Sequence, residues 1–368
     1  MDLPLLIMRL RFGAPASACQ AVHTPRVRYP EGTVRYHLYG GQGPGAALSI
    51  MRQFRLASTL SVRMRGAPVR GTVLTDGVGV VERGGHGFNA GDLVHARGLR
   101  GTWADRAPLE ADATRVVKLP PATPVARAAA SFAAAATAYG LLRDVDAGDV
   151  VIHLGAEGAV GQCVAQICGA RGAKALGLVS GDVLDPEDAV DVLKNLGAVA
   201  AAPARFARDP ACRALVADLL EAAPSDTATL LVDCERIDVA AVNEVLRAAA
   251  RGAGAGRAAM ASADARDVRD AKLLRTCAAL CGAEATVHAH GAAPEQLLVG
   301  GARAFHLDQF LDGASGEMAA VVAAVAKADA TVFSEAHSDA TLPHALHGLD
   351  GTVAKHAYRQ PVWLADAP

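Results

Sequence analysis

Three glycines near the middle of the chain, Gly155, Gly158 and Gly161, follow an apolar run and precede a helical pattern. The apolar run, Val150–Leu154, is typical of a buried parallel strand. A tight glycine turn between a strand and a helix lets the backbone approach a ligand closely. The free N–H groups at the helix N-terminus favour an anion such as a dinucleotide pyrophosphate. The predicted cofactor-binding residues of the turn are Gly155, Ala156, Gly158, Ala159, Val160 and Gly161.

A second apolar strand, Ala175–Val179, ends just before Asp182. In dinucleotide-binding units an acid about 20 residues after the glycine turn accepts a hydrogen bond from a ribose hydroxyl. Asp182 is therefore the predicted ribose-binding residue. The alternative is that Asp182 is only an acid at a helix start, because Asp185 and Pro186 carry the signals of a helix N-terminus.

The elements that must position this turn follow two patterns. Up to Leu119 the chain has short strands with Gly-rich turns, and after Pro120 strands alternate with helices. Predicted strands of the first part are Val34–Tyr39, Ser61–Met64, Gly77–Glu82 and Leu93–Ala96. Predicted strands of the second part are Val150–Leu154, Ala175–Val179, Leu230–Asp233, Arg257–Ala261 and Ala285–His288. Predicted helices include Asp185–Asn195, Val239–Ala250 and Glu317–Ala326.

The motifs around the turn occur in the order and spacing of a known family. They are Gly91-Asp92-Leu93-Val94, Gly101-Thr102-Trp103, Leu119-Pro120-Pro121, Thr137-Ala138-Tyr139, Val145-Asp146-Ala147-Gly148-Asp149 and Leu193-Lys194-Asn195-Leu196-Gly197-Ala198. Over roughly Val34 to Leu364, the chain resembles the mitochondrial trans-2-enoyl-thioester (enoyl-CoA/ACP) reductases. These enzymes belong to the zinc-free, quinone-reductase-like branch of the medium-chain dehydrogenase/reductase superfamily.

The resemblance implies an α/β fold with a doubly wound parallel Rossmann sheet and an irregular, β-rich GroES-like domain. Residues 1–33 are then a basic N-terminal extension or presequence. Residues 34–122 and 329–368 form the β-rich, former catalytic domain, and residues 123–328 form the Rossmann dinucleotide-binding domain. The resemblance also suggests a homodimer, as in the family.

The chain departs from the family at the place of the catalytic tyrosine. In the family, a strand with an Ala-Pro step leads into a loop that bears the tyrosine, before a segment beside the nicotinamide. Leu60–Val69 matches the strand and Arg70–Gly77 matches the approach to the later segment, with nothing between them. Loss of a general acid removes a rate contribution of about 10²–10⁴-fold, so no catalytic residue is predicted. The tyrosines of this chain map elsewhere: Tyr29, Tyr36, Tyr39, Tyr139 and Tyr358.

The cofactor-binding positions also depart from the family. Gly181 and Val183 stand where the family places arginines that grip the 2′-phosphate of NADPH. Neither residue can make the bidentate contact of an arginine, and Asp182 would repel a phosphate. After Cys234, the bulky residues 235–237 replace glycines that lie close to the nicotinamide. The prediction is therefore no NAD(P)H binding or weak binding, without a preference for NADPH, and no zinc.

Basic residues are concentrated at the N-terminal end of the chain. Residues 1–70 contain ten arginines, no lysine and two acids, whereas the whole chain has a net charge of −2. An Arg-rich, acid-poor start is typical of a mitochondrial presequence, which predicts a location in the mitochondrial matrix. It is equally typical of a basic arm that docks on RNA or an acidic partner. Coding bias towards arginine is the third explanation.

Other patterns exclude several classes of protein. No uninterrupted apolar run approaches the ~20 residues of a membrane span. The seven cysteines form no CxxC pair, which favours buried free thiols in a reducing compartment. Surface or capping roles are favoured over metal binding for four scattered histidines near the C-terminus, His337, His344, His347 and His356.

These features together predict a catalytically degenerate, enoyl-reductase-like protein that is a structural subunit of a mitochondrial assembly. The mitochondrial ribosome or its assembly machinery is the first candidate, and a respiratory complex is the second. Its partners would be protein subunits, with RNA as a further partner of the Arg-rich N-terminus. The alternative is an active NAD(P)H-dependent reductase of trans-2-enoyl thioesters or quinones in mitochondrial fatty acid synthesis.

Overall fold

The computed structural model describes residues 5–10, 19–24, 33–35, 53–55, 59–68, 77–83, 87–96, 106–110, 116–180, 186–234, 237, 239–251, 265–282, 284–290, 302–313, 334–337 and 360–364. Several predicted features lie outside these residues. They are residues 181–185, residues 235–236, the strand at 257–261, the helix at 317–326, and His344, His347 and His356.

The N-terminal strands pair as two separate hairpins. Strand β1 (Leu5–Leu10) runs antiparallel to β2 (Cys19–Thr24), and β3 (Thr33–Arg35) runs antiparallel to β4 (Gln53–Arg55). The strand predicted from Val34 onward is therefore described only in its first part, as β3, because residues 36–39 lie outside the described ranges.

Five further strands begin a larger, mostly antiparallel sheet. They are β5 (Thr59–Pro68), β6 (Gly77–Arg83), β7 (Leu93–Ala96), β8 (Arg106–Glu110) and β9 (Val116–Lys118). Strand β6 lies between β5 and β7, β9 lies beyond β7, and β8 pairs with β5. In the β5–β6 hairpin Gly66 lies opposite Val78. Only eight residues separate the end of β5 at Pro68 from the start of β6 at Gly77.

Helix α1 (Val125–Leu141) leads from this sheet into the second half of the chain. The ring of Phe132 in α1 packs on His95 of β7, with 4.7 Å between the ring centroids. One apolar core surrounds α1 and includes Val78 and Leu93 from the first sheet together with Val151 from the region that follows. The helix thus packs against both parts of the protein.

Six parallel strands form the second sheet. In chain order they are β10 (Val150–Leu154), β11 (Lys174–Val179), β12 (Ala200–Pro203), β13 (Thr229–Asp233), β14 (Val287–His290) and β15 (Arg303–Ala304). Their spatial order is β12-β11-β10-β13-β14-β15, so the chain winds outward from β10 in both directions. This is the strand order of a doubly wound Rossmann sheet, which confirms the predicted fold class.

Helices cover both faces of the parallel sheet. They are α1, α2 (Ala159–Arg171), α3 (Pro186–Asn195), α4 (Pro210–Glu221), α5 (Val239–Ala250), α6 (Ala265–Leu280) and α7 (Leu307–Gly313). Helices α1, α2 and α3 pack on the face that carries Val151 and Val179. Helices α4, α5 and α6 pack on the opposite face, which carries Ile152 and Leu230. Because β10 is covered on both sides, all of its residues are buried.

Several elements of the parallel region differ from the sequence predictions, which did not include β12, β15, α4 or α7. The strand predicted at 285–288 begins and ends two residues later, as β14, because its ladder to β13 starts with Leu230 opposite Val287. The sequence analysis also did not predict α6, which is rich in charged residues and buries Ala271, Leu274 and Cys277.

The C-terminal strands return to the antiparallel sheet. Strand β17 (Gln360–Leu364) pairs with β5, and β16 (Ser334–His337) pairs with β17. This pairing brings the end of the chain beside its first half, although the exact domain boundaries stay a prediction. Among the described helices, none is long and apolar enough to cross a membrane.

Candidate functional site

The glycine turn connects β10 to α2 at the carboxyl end of the parallel sheet. Gly155 has a φ of 83°, a left-handed conformation that residues with a side chain rarely adopt. The N–H groups of Gly155 and Ala156 both donate to the carbonyl of Leu178 in β11, at 2.9 and 3.2 Å. Gly158 has an extended backbone, and α2 begins at Ala159. The segment therefore has the strand–turn–helix form predicted from the sequence.

Packing disfavours a side chain at all three positions, most strongly at Gly161 and Gly155, whether or not a ligand binds. A Cβ on Gly161 would lie 2.2 Å from the carbonyl oxygen of Ala156. A Cβ on Gly155 would lie 2.8 Å from the Cβ of Asp233, and a Cβ on Gly158 would lie 2.9 Å from Oδ2 of the same residue. The glycines therefore preserve the fold, and their presence does not by itself distinguish a working cofactor site from a retained scaffold.

The other predicted residues of the turn are largely covered by the protein. Ala156 is buried, while Ala159 and Val160 are half-buried and pack against the core around α1. Asp182, the predicted ribose-binding acid, lies outside the described residues, as do Gly181 and Val183. The binding role of all these residues stays a prediction.

Glu157 is an acid inside the turn whose role the sequence analysis missed. Its side chain is only 2% exposed. Oε2 of Glu157 accepts a hydrogen bond of 3.0 Å from the backbone N–H of Ser180, the residue that follows β11. The carbonyl of Glu157 also accepts a hydrogen bond of 3.0 Å from Nε2 of Gln162 in α2. A charged residue inside a glycine motif was the signal that could have identified it.

Two buried histidines meet below the same edge of the sheet. His153 of β10 and His290 of β14 are each 2% exposed, and their Nε2 atoms lie 2.9 Å apart. The two side chains reach each other across β13, where Asp233 lies opposite His290. Nδ1 of His153 has no hydrogen-bond partner among the described residues. Burial, and then the proximity of His290, lowers the pKa of His153 well below its ordinary value.

The sequence analysis also missed this histidine pair. A histidine in the middle of an apolar run was the available signal, because a buried imidazole requires a hydrogen-bond partner. That partner could not be identified, since His290 lies far along the chain and the predicted strand ended at His288.

The thiol beside the crevice is not a nucleophile. Cys234 directly follows β13 and is 1% exposed. Burial, assisted by the carboxylate of Asp233, raises the pKa of the Cys234 thiol to about 12. A thiol must ionise to react, so Cys234 is inert near neutral pH. Six of the seven cysteines are free and buried, as expected from the sequence: Cys163, Cys168, Cys212, Cys234, Cys277 and Cys281.

The remaining candidate residues lie away from the glycine turn or outside the described residues. Tyr139 of α1 packs under the guanidinium of Arg171, which lies 5.2 Å from the ring centroid. His337 lies in β16 of the antiparallel sheet. Within the described ranges, no group of three or more His, Cys, Asp or Glu residues is arranged to hold a metal ion.

Comparison with known proteins gives one curated relative and many similar structures. No family model matches the sequence. The mitochondrial enoyl-[acyl-carrier-protein] reductase of Dictyostelium discoideum is 32% identical over 165 residues, which are 41% of this chain and 45% of that protein. The match therefore spans less than half of the relative's length.

Solved structures are similar over nearly the whole chain. Quinone oxidoreductase of Escherichia coli, solved in complex with NADPH, has a TM-score of 0.60 at 15% identity, covering 98% of this chain and 99% of that one. A mutant enoyl thioester reductase from Candida tropicalis has a TM-score of 0.63 at 14% identity, covering 99% and 100%. The chain has the medium-chain dehydrogenase/reductase fold. At these identities the similarity establishes the fold and leaves the activity open.

A nicotinamide dinucleotide, which this fold implies, fits the backbone of the crevice but not its side chains. The left-handed Gly155 and the start of α2 form the expected seat for a pyrophosphate. The carboxylate of Glu157 is buried beside the turn, where it accepts a hydrogen bond from the N–H of Ser180. The side chain of Asp233 lies on the other side of the turn, against Gly155 and Gly158. Two acids therefore flank the glycine turn, and neither is a group that pairs with a phosphate.

Proposed function

We propose that this protein is an enoyl-reductase-like member of the fold that does not reduce enoyl thioesters and serves as a non-catalytic subunit of a mitochondrial assembly. The short connection between β5 and β6 is the observation that supports this proposal most strongly. Pro68 is the last residue of β5 and Gly77 is the first residue of β6. The two strands pair directly, and only eight residues connect them. The resembled family places the loop with its catalytic tyrosine at this point, and eight residues are too few for that loop and the turns on either side of it.

The condition of the cofactor crevice supports the same proposal. Catalysis by a reductase of this fold needs a bound nicotinamide dinucleotide. The carboxylates of Glu157 and Asp233 would repel the phosphates of that dinucleotide. Cys234, next to the crevice, is held as a neutral thiol by burial. The scaffold is preserved, while the proton donor and the cofactor-holding residues of the resembled family have no counterparts at the matching positions, as expected of a retained fold without its chemistry.

The mitochondrial location is proposed on two grounds. The curated relative is a mitochondrial enoyl-[acyl-carrier-protein] reductase. The first 70 residues carry a net charge of +8, against −10 for the rest of the chain. A basic arm on an acidic body suits docking on RNA or on an acidic subunit. The mitochondrial ribosome or its assembly machinery is accordingly the first candidate, and a respiratory complex the second.

An active reductase of enoyl thioesters or quinones is the second candidate function. The retained geometry of the turn favours it, because Gly155 keeps its left-handed backbone and α2 still begins at the turn. NADH rather than NADPH would then be the cofactor. In that case another group would supply the proton that the family takes from its tyrosine.

Turnover measurements separate the two candidates. The purified chain is assayed with crotonyl- and longer enoyl-CoA substrates and with a soluble quinone, with NADH and NADPH in turn. The Dictyostelium discoideum enoyl reductase is assayed alongside as the active reference. We expect no oxidation of either nucleotide above background. Substrate-dependent oxidation of NADH or NADPH with any of these substrates would contradict the non-catalytic proposal and support the reductase.

A further inference from the structure

Glu157 links the two subsites that a dinucleotide would occupy. Its backbone belongs to the glycine turn, and its carboxylate reaches the N–H of Ser180 at the end of β11. In a doubly wound sheet the pyrophosphate lies over the glycine turn, and the adenosine ribose lies beyond the carboxyl end of the second strand. Here β11 is that second strand. The carboxylate therefore lies between the pyrophosphate position and the ribose position.

The carboxylate is held firmly in this place. Glu157 is 2% exposed, so little water can replace its hydrogen bond with Ser180. The amide of Gln162, itself 1% exposed, donates to the carbonyl of Glu157 and fixes the peptide from which the side chain extends. Moving the side chain aside would leave the Ser180 N–H without its carboxylate partner, which carries a desolvation cost.

We infer that Glu157 is a built-in occupant of the crevice that excludes dinucleotides, and NADPH most strongly. The carboxylate provides from within the chain the acceptor that a ligand would otherwise provide. The pyrophosphate and a ribose 2′-phosphate would each meet a like charge held in a dry environment, which is strongly unfavourable. The inference uses the crevice described for the proposed function, but it does not depend on the absence of catalysis.

Two variants test the inference by binding rather than by activity. Glu157→Gln removes the charge and keeps an oxygen that can accept from Ser180, so the turn is expected to fold unchanged. Glu157→Ser also removes the bulk of the side chain and opens the space. Isothermal titration with NADPH, NADH and 2′,5′-ADP measures binding, and thermal unfolding checks that each variant is folded. We expect NADPH to bind at least about tenfold more tightly to Glu157→Gln than to the parent chain, with a smaller gain for NADH.

A matched control separates a local effect from a change in net charge. Glu187 is an exposed acid in the first turn of α3, so Glu187→Gln makes the same charge change outside the turn. The control is expected to bind like the parent chain. The inference is overturned if folded Glu157→Gln and Glu157→Ser bind NADPH no more tightly than the parent, or if Glu187→Gln gives the same gain. An unchanged affinity in the folded variants would contradict this inference and leave the proposed function untouched, because the absence of turnover is measured on the parent chain.

Discussion

At the scale of single residues, His153 and His290 form a polar contact inside an apolar sheet. Their Nε2 atoms lie 2.9 Å apart, so one ring donates a proton to the other when both are neutral. A further proton would place a positive charge on this buried pair, where burial disfavours the charged form. His288, beside them on β14, also has its pKa lowered by burial and by Arg303, against the opposite influence of Asp144.

The stability of the protein should therefore depend on pH through this pair. The pKa of His153 in the folded state lies below its ordinary value of 6.5, so below pH 6.5 the unfolded chain binds more protons. The free energy of unfolding is therefore not reduced by His153 above pH 6.5. Below that pH it decreases by about 1.4 kcal/mol per pH unit for one proton. His153→Leu should reduce this slope in urea unfolding measured between pH 7.5 and pH 5.

The control for this experiment is His306→Leu, a change at a half-buried histidine that follows β15. It makes the same change of side chain away from the pair, so a loss of slope beyond that of His306→Leu reports on the pair itself. The slope in His153→Leu should not vanish, because His288 still contributes. An identical pH dependence in the parent chain and in His153→Leu would show that the pair has no role in proton-linked stability.

At the scale of elements, the close approach of α2 to the turn depends on one missing side chain. A Cβ on Gly161 would lie 2.2 Å from the carbonyl oxygen of Ala156, and both groups belong to backbone that cannot easily move. Gly161→Ala should therefore lower the free energy of unfolding by roughly 1–3 kcal/mol, as other overpacked sites do. Urea denaturation measures the change.

The same helix offers a matched control. Gly169 is exposed, and a Cβ on it would lie 3.4 Å from the carbonyl oxygen of Gly197, a distance close to ordinary contact. Gly169→Ala should be neutral or stabilising, because alanine has the higher helix propensity. Equal stabilities for Gly161→Ala and Gly169→Ala would contradict the steric account of the turn.

The elements that sequence predicted best are those with strong local signals. Strand β10 and helix α5 have the predicted bounds, since a continuous apolar run before a glycine turn and a clear helical period leave few alternatives. Helix α6 has no such period because charged residues dominate it. Strand β14 was placed two residues early because it ends on His290, a polar residue that is buried and contacts His153 across the sheet.

The site was less predictable than the fold because its contacts join distant parts of the chain. The glycines of the turn are local and were identified from spacing alone. The contact between Glu157 and Ser180 spans 23 positions and exists only because β10 and β11 pair in a particular register. Sequence could indicate that Glu157 is unusual in the turn, but not which N–H it would reach.

At the scale of the whole molecule, the charge distribution predicts how the protein docks. If the basic N-terminal arm is the main contact with an assembly, binding should weaken steeply with salt, because each neutralised phosphate releases counterions. A chain without residues 1–33, given an unrelated presequence for import, should then leave the large particle in gradient sedimentation of mitochondrial lysates. The full chain at low and at high salt is the comparison.

The outcome distinguishes two roles of residues 1–33, docking on the assembly and targeting to mitochondria. Folding of the truncated chain is checked by its thermal unfolding. If the truncated protein still sediments with a large particle at high salt, the docking surface lies on the rest of the chain, which keeps six of the ten N-terminal arginines, and residues 1–33 act only in import.

The core around α1 has a consequence for how the protein unfolds. Val78 and Leu93 of one sheet share this core with Val151 and Leu231 of the other. Neither sheet can lose its packing against α1 without exposing apolar surface of the second, so the two sheets stabilise each other. The two-sheet body should accordingly melt in a single cooperative transition, and damage to the antiparallel half should lower the melting temperature of the nucleotide-binding half as well.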